Sequence, residues 1–296
     1  MAELQEKQYE LGGVVFGLFA PVAVEASGWT PGSPDVRTSD IAQPSGDGIR
    51  MGQDFKGATT WSFSMFTDRE SEDAAWAALA PLAGVWDSEQ VRTESGEVMP
   101  LRYRLGGQTR RVYGRPRRWT ISPNNASMSG RIDVEADFTT VDHLFYDDTM
   151  QSKSIYLVPP LAGDLDAGIP VPFIPPFTSS VTTSSRDSTI TIGGEVPTPI
   201  ILEFHDVEEP LVRIGDWAAG LVDPVLPGNP VTIDARPWVR AATQANGGGV
   251  RVSPRVTRIS KMWLPPGTHE VSFTGTTRSG AARVLVSWAN AYRTPR

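Results

Sequence analysis

The 296-residue sequence contains no cysteine. That absence excludes disulfide frameworks, thiolate zinc centres and cysteine nucleophiles together. Histidine is nearly as scarce: His143, His205 and His269 are the whole supply, so metal ligation and general-base chemistry have little material. Long hydrophobic runs are missing as well. The most apolar early stretch, residues 12–26, is interrupted by Gly17 and Pro21 and is too short to span a bilayer. Glu3, Glu6 and Glu10 surround a single Lys7, so the positive start of a secretory signal is lacking. The expectation is a soluble chain made in the cytoplasm, without membrane insertion.

Glycine and proline are abundant instead. The 28 Gly and 25 Pro make up about 18% of the chain, against the usual ~12%. They are spread as punctuation and not as a G-X-Y repeat, which excludes collagen and argues against an all-helical protein. The length allows one large all-β domain or two ordinary ones, each able to bury a core. Net charge is −7, but it is blocked along the chain. Residues 1–98 carry 6 basic and 16 acidic side chains, residues 99–131 carry 8 and none, residues 132–233 carry 3 and 16, and residues 234–296 carry 10 and 2. Either folding interleaves these blocks and cancels them, or the molecule presents opposite-signed faces suited to head-to-tail docking.

Periodicity of two dominates. Ile132, Val134, Ala136 and Phe138 alternate with charged residues as a half-buried strand does. Leu101, Tyr103 and Leu105 alternate with Arg102 and Arg104, and Gly106-Gly107 follows as a two-residue hairpin turn. Ala282, Val284, Val286 and Trp288 repeat the pattern near the end, as do His269, Val271 and Phe273 after the turn Pro265-Pro266-Gly267. One segment differs. Trp76, Leu79, Leu82 or Ala83, and Trp86 recur at helical spacing, with Glu70, Glu72 and Asp73 at the start where the helix dipole favours them. The spacing predicts a helix near 70–86 that Pro81 should kink or split. Six prolines in residues 158–176 cannot sit inside a sheet, so residues 158–177 are expected to form a linker or arm. Residues 1–157 and 178–296 are then two β domains of sandwich or barrel type.

Catalytic patterns fail in turn. No phosphate-binding glycine loop occurs, and no G-x-S-x-G elbow. His205-Asp206-Val207-Glu208-Glu209 is the densest ionisable cluster and reads best as a solvated loop ending at Pro210. Asp164, Asp166 and Gly168 lack the remaining ligands of a calcium loop. The arginines at 102, 104, 110, 111, 115, 117 and 118 have thin aromatic interleaving in an acidic chain. They point to a protein interface facing acidic neighbours more than to nucleic acid; the candidate contacts are Arg110, Arg111, Arg115, Arg117 and Arg118. Trp217, Trp238 and Trp263 are candidates for a sugar-stacking platform, weighed against the commoner role of sandwich core.

Several ordered patterns resemble a known family. Tyr9-Glu10-Leu11 through Phe16-Gly17, Gly28-Trp29, Pro34-Asp35-Val36-Arg37, Asp47-Gly48 and Gly52-Gln53-Asp54 are similar to the amino-terminal domain of distal tail proteins of long-tailed phages, here of an actinobacterial host. Leu101 to Arg104, Tyr113 to Arg118, Val134 to Phe138 and Leu144 to Asp148 resemble the later strands of that domain. Thr232 to Arg236, Trp263 to His269, Val286 to Trp288 and Ala291 to Arg293 resemble the family's jelly roll. None of these motifs is catalytic. The resemblance covers both halves and is weakest over residues 158–200.

The resemblance implies an all-β fold with one α-helix: an amino-terminal β-sandwich or split barrel, then a galectin-like jelly-roll sandwich. It implies a structural virion protein of the tail tip, not an enzyme, with no cofactor and no metal. Its partners would be further copies of itself in a hexameric ring, the tail tube protein, the baseplate hub, and tape measure, fibre or receptor-binding proteins. Two other readings stand beside it. One is a carbohydrate-binding module touching the host wall, motivated by the three tryptophans and the basic last block. The other is a wall-degrading hydrolase, which rests only on abundant carboxylates.

Overall fold

A computed structural model describes residues 3–122, 128–158, 184–185, 188–254, 256–277 and 281–296. The chain forms two compact units, Met1–Asp148 with Tyr292–Arg296, and Thr149–Ala291. The division falls earlier than the 157/158 boundary read from composition. The reason is that strand Gln151–Val158 pairs with Arg283–Trp288 of the second unit. The proline-rich segment lies outside the described residues from position 159 onward.

The first unit runs through β1 (Gln8–Leu11), β2 (Val14–Gly17), β3 (Ala23–Pro31), four short strands β4 (Val36–Arg37), β5 (Ile41–Ala42), β6 (Ile49–Arg50) and β7 (Phe55–Lys56), then β8 (Thr60–Phe66). Helices α1 (Glu72–Trp86) and α2 (Glu89–Thr93) follow, then β9 (Met99–Leu105), β10 (Gln108–Ser122), β11 (Asp133–Thr140) and β12 (Phe145–Asp147). The main sheet has the order β2-β1-β9-β10-β11-β8-β3, with β12 also paired to β10. The β9–β10 turn has φ of 61° at Gly106 and 80° at Gly107, the positive values that a two-residue hairpin turn requires and glycine adopts without strain. The Glu6 carboxylate accepts both of their amides, at 2.6 and 3.0 Å. These two bonds hold the Glu6 carboxyl below its usual range. Along β10 the register with β11 shifts between Pro116 and Trp119, because Pro116 has no ladder donor and the strand bulges around it.

Helix α1 begins at Ser71, whose hydroxyl accepts the amide of Ala74 at 3.3 Å, and Glu72 and Asp73 occupy its first turn. Its buried stripe is Ala75, Leu79, Leu82 and Trp86, spaced four, three and four residues apart on one face. Trp76, expected on that face, lies one residue off it and is exposed, its indole directed at Glu72. Nor is the helix split: it runs unbroken through Pro81. Pro81 is itself exposed, so the carbonyl it leaves without a donor is on the wet side, while the opposite stripe stays anchored. That stripe packs into a core rich in rings. Tyr9, Phe16, Phe63 and Trp86 contact one another at centroid distances of 5.2 to 6.1 Å, and Leu11, Leu101, Ile132 and Val134 fill around them.

The second unit contains β13 (Gln151–Val158), β14 (Ser184–Ser185), β15 (Ser188–Ile192), β16 (Thr198–His205), β17 (Glu208–Ile214), β18 (Trp217–Gly220), β19 (Val231–Asp234), β20 (Ala241–Gln244), β21 (Trp263–Leu264), β22 (Gly267–Thr276) and β23 (Arg283–Trp288). One sheet has the order β14-β13-β23-β16-β19-β20, with β21 on β16; the other is β15-β22-β17-β18. The expected alternation appears for Val271 and Phe273, and for Ala282, Val284, Val286 and Trp288, which all point into the core. His269 instead lies at the edge, half-exposed, with its ring nitrogen 2.7 Å from the Pro265 carbonyl. Leu202, Phe204, Val284 and Val286 of the first sheet share that core with Ile190, Val212, Ile214 and Phe273 of the second. It is a β-sandwich held by inward-facing side chains of both sheets.

Candidate interaction surfaces

The arginine-rich hairpin has two faces, and folding uses them differently. In register, Glu10 lies opposite Arg102, and Arg102 opposite Arg111, so these three share one face across β1, β9 and β10. Asp148, just past β12, closes the row. Arg102 donates from Nε and Nη2 to the two carboxylate oxygens of Asp148, at 2.7 and 2.6 Å, and from Nη1 to Glu10. Arg111 also reaches the Asp148 carboxylate, at 2.8 Å. Only 6% of the Arg102 side chain is exposed. Burial alone would push the Asp148 carboxyl up; the hydrogen bonds and charges of Arg102 and Arg111 outweigh it and hold the group below the ordinary carboxylate range. The same Asp148 contact raises Arg102 further above its own high value. Two cations and two anions thus satisfy one another where a lone charge would be costly.

On the other face Arg110 lies opposite Tyr103, and the last five residues cover both. The Arg110 guanidinium stacks 3.7 Å from the Tyr292 ring centroid and donates to the Thr294 carbonyl at 2.6 Å. The Tyr103 hydroxyl donates to the Pro295 carbonyl at 3.0 Å. Arg110 is 4% exposed. Of the five candidate contact arginines, Arg110 and Arg111 are therefore engaged inside the first unit.

The remaining three lie further along β10. Arg118 is half exposed and pairs with Glu135 and Asp137 of β11, at 3.0 and 3.2 Å. Arg115 donates through Nε to the Glu97 carbonyl at 2.6 Å and through Nη2 to the Glu94 carbonyl. Arg117 is exposed. Arg115 and Arg117 line a cleft of about 230 Å³ at the carboxyl end of α1, together with Trp86, Ser88, Val91 and Arg92. Its only acidic lining residue is Asp87, which pairs with Arg92 at 3.7 Å. The cleft is a cationic site with an apolar floor.

A second surface escapes a reading based on charge. Strands β4 and β7 pair with each other, as do β5 and β6, to make a narrow arm over residues 32–57. Val36, Ile41, Ile49, Met51 and Phe55 on this arm are all exposed. The signal was in the sequence but faint: isolated apolar residues among Asp, Gly, Ser and Pro, with no period that would bury them. Glu10 and Asp148 were missed for a different reason, since only cross-strand register brings them to Arg102.

In the second unit Trp217 is 7% exposed and belongs to the sandwich core. Trp238 is half-buried beneath Arg236, whose guanidinium lies 5.5 Å from its ring, and Trp263 is half-buried on β21. The ionisable cluster from His205 to Glu209 forms the tight β16–β17 connection, with His205 Nε2 2.7 Å from Glu203. Asp206, Glu208, Leu226 and Thr276 border a separate cleft of about 290 Å³. Among the described residues no group of three His, Asp or Glu side chains is placed to hold a metal ion.

No protein-family model matches the chain, and no curated protein matches it in sequence. Solved structures do match, along almost the full length. The Dit protein (gp 19.1) of phage SPP1, described as a paradigm of the hub adsorption apparatus in phages infecting Gram-positive bacteria, aligns with a TM-score of 0.51 and 10% identity, over 96% of this chain and 98% of that one. A chain of the phage P2 baseplate in its activated conformation with Ca aligns with a TM-score of 0.51 and 12% identity, over 96% and 97%. The same phage's baseplate with Sr gives 0.52 and 11%, over 95% and 97%. At such identities the likeness is one of fold: the chain shares its fold with the SPP1 Dit protein and with a chain of the phage P2 baseplate.

Proposed function

We propose that this protein is a structural component of a phage tail tip, of the distal tail type. In this reading several copies, six by the family resemblance, close into a ring. The ring joins the tail tube to the baseplate hub and carries tip or fibre proteins, and the virion is that of a long-tailed phage of an actinobacterium. The observation that carries the reading is the end-to-end fold match to the SPP1 Dit protein, which spans both units and leaves almost nothing over on either side. The sequence motifs point the same way independently of that match, and they contain no catalytic set.

The physical demands of a ring agree with the chain's surfaces. A closed ring needs heterologous contacts, in which one face meets a different face of the next copy. Unlike patches on one molecule supply that and disfavour face-to-face pairing. The arginines of β10 beyond the hairpin, Arg115, Arg117 and Arg118, are the charged candidates. Reversing all three to glutamate should weaken assembly, and high salt should act likewise on exposed contacts. The mass of the purified assembly, with imaging of the particle tip, tests the whole reading. A strict monomer absent from virions rejects it. Incubation with wall polymer should release no sugar, since the protein acts through assembly and not through turnover.

A second reading, a wall-glycan module in the second unit, draws on the cleft beside Leu226 and on Trp238 and Trp263. Trp217, as a core residue, offers such a ligand no face. Titration of the full chain with host-wall glycans decides it: no binding at millimolar concentration removes the reading.

A further inference from the structure

We infer that the arm of residues 32–57 of one copy seats in the arginine-lined cleft at the end of α1 on the next copy. This rests on the ring reading and gives it a contact.

The arm is anomalous on three counts. Its two-stranded ribbons pair only with themselves, and isolated ribbons of that kind are marginal in water. It collects five of the fourteen large hydrophobic side chains exposed among the described residues, with Ile41 at 66% and Met51 at 73%. The register places Val36 and Phe55, and likewise Ile41 and Ile49, on opposite faces, so the ribbons are apolar on both sides, as an element taken into a site on another molecule would be. Over residues 32–57 the charges nearly balance, with Asp35, Asp40, Asp47 and Asp54 against Arg37, Arg50 and Lys56, but the central stretch 40–54 is acidic, with Asp40, Asp47 and Asp54 against Arg50 alone.

The cleft is the complement in each respect. Arg92, Arg115 and Arg117 give it positive charge, and Trp86, Val91 and Pro116 give it apolar walls. Arg115 is held in place by the carbonyls of Glu94 and Glu97, so part of the receiving geometry exists before anything binds. An arm-to-arm contact would set aspartates against aspartates, and a cleft-to-cleft contact arginines against arginines. Charge therefore favours the unlike pairing, which leaves a free arm on one copy and a free cleft on the other. That is the heterologous arrangement that propagates until it closes.

The absence of cysteine makes the test clean. Met51→Cys and Val91→Cys in one chain introduce the only two thiols, one at the arm and one at the cleft. Under mild oxidation the double variant should yield a ladder of covalent multimers, whereas each single variant should not. Separately, Asp47→Arg and Arg117→Glu should each weaken assembly about tenfold or more, and the two together should recover part of the loss, as a charge pair does across an interface. Native mass measurement and circular dichroism on every variant distinguish lost assembly from lost folding. A wild-type assembly of full mass with no 51–91 cross-link and no charge coupling overturns the inference while the ring reading survives. So does a cross-link within one chain, or to another virion protein. A wild-type chain that stays monomeric removes both.

Discussion

Arg102 illustrates how much a single side chain can carry. Its guanidinium satisfies Asp148 through two hydrogen bonds and Glu10 through a third, all inside the first unit. Arg102→Met keeps the volume and removes the charge, taking the ion partner from Glu10 and leaving Asp148 with Arg111. The expected loss is about 3–5 kcal/mol, read as a lowered denaturant midpoint with an unchanged slope. Asp142 acts in the opposite sense. Burial raises its carboxyl to about 6, against the partial relief of hydrogen bonds from the Tyr146 hydroxyl at 2.7 Å and the Leu144 amide at 3.1 Å. Its folded value lies above the unfolded one, so the folded state binds this proton more tightly. The group's contribution to stability is full below about pH 4 and is lost as pH rises through about 6. Asp142→Asn retains an acceptor for the Leu144 amide and supplies a donor for Tyr146. It should leave the protein as stable or more stable at pH 7 and flatten the stability profile between pH 4 and 6. An unchanged profile would place the titration elsewhere.

Among the elements, α1 shows a local rule outweighed by tertiary anchoring. An interior proline costs about 3 kcal/mol relative to alanine in an unsupported helix, yet the helix continues through Pro81. Four buried side chains, Ala75, Leu79, Leu82 and Trp86, hold it from the core side, and the Trp86 indole donates to the Arg118 carbonyl at 3.0 Å. Pro81→Ala should therefore stabilise the first unit by about 1–3 kcal/mol, measured as a rise in Tm. A fall would mean that the proline's shape, not its cost, is what the site needs. The β9–β10 hairpin makes the complementary point. Its turn follows from Gly106-Gly107, but the burial of both arginine-bearing faces does not. One face is covered by Glu10 and Asp148, the other by residues 292–296.

For the molecule as a whole, the two cores are separate: every residue of one cluster falls in the first unit and every residue of the other in the second. A chain with two independent cores need not unfold in one step. Calorimetry should show two transitions, with Leu82→Ala lowering one and Phe273→Ala lowering the other, by about 2–5 kcal/mol each. A single transition shifted equally by both variants would show that the units unfold together. Folding brings part of the blocked charge pattern together. Arg102 and Arg111 meet Glu10 or Asp148, and Arg118 meets Glu135 and Asp137, so acidic and basic blocks cancel across strands. Exposed cations remain in the cleft with Arg92, Arg115 and Arg117 and in the last block, where Arg240, Arg258 and Lys261 are exposed.

Read alone, the residues determine the fold class, the long helix, the β9–β10 turn and most inward-facing positions of β11, β22 and β23. All of these follow from side-chain period, caps and glycine conformations that act over a few residues. What the tertiary structure alone decided is non-local. Register across β1, β9 and β10 assembled Glu10, Arg102, Arg111 and Asp148 into one buried row. The return of Tyr292–Arg296 to the first unit hid Arg110, and the core claimed Trp217 while exposing the apolar side chains of residues 36–55. Local pattern says which side of a strand a residue takes; what lies against that side depends on partners 37 to 192 positions away, and no short-range rule encodes those.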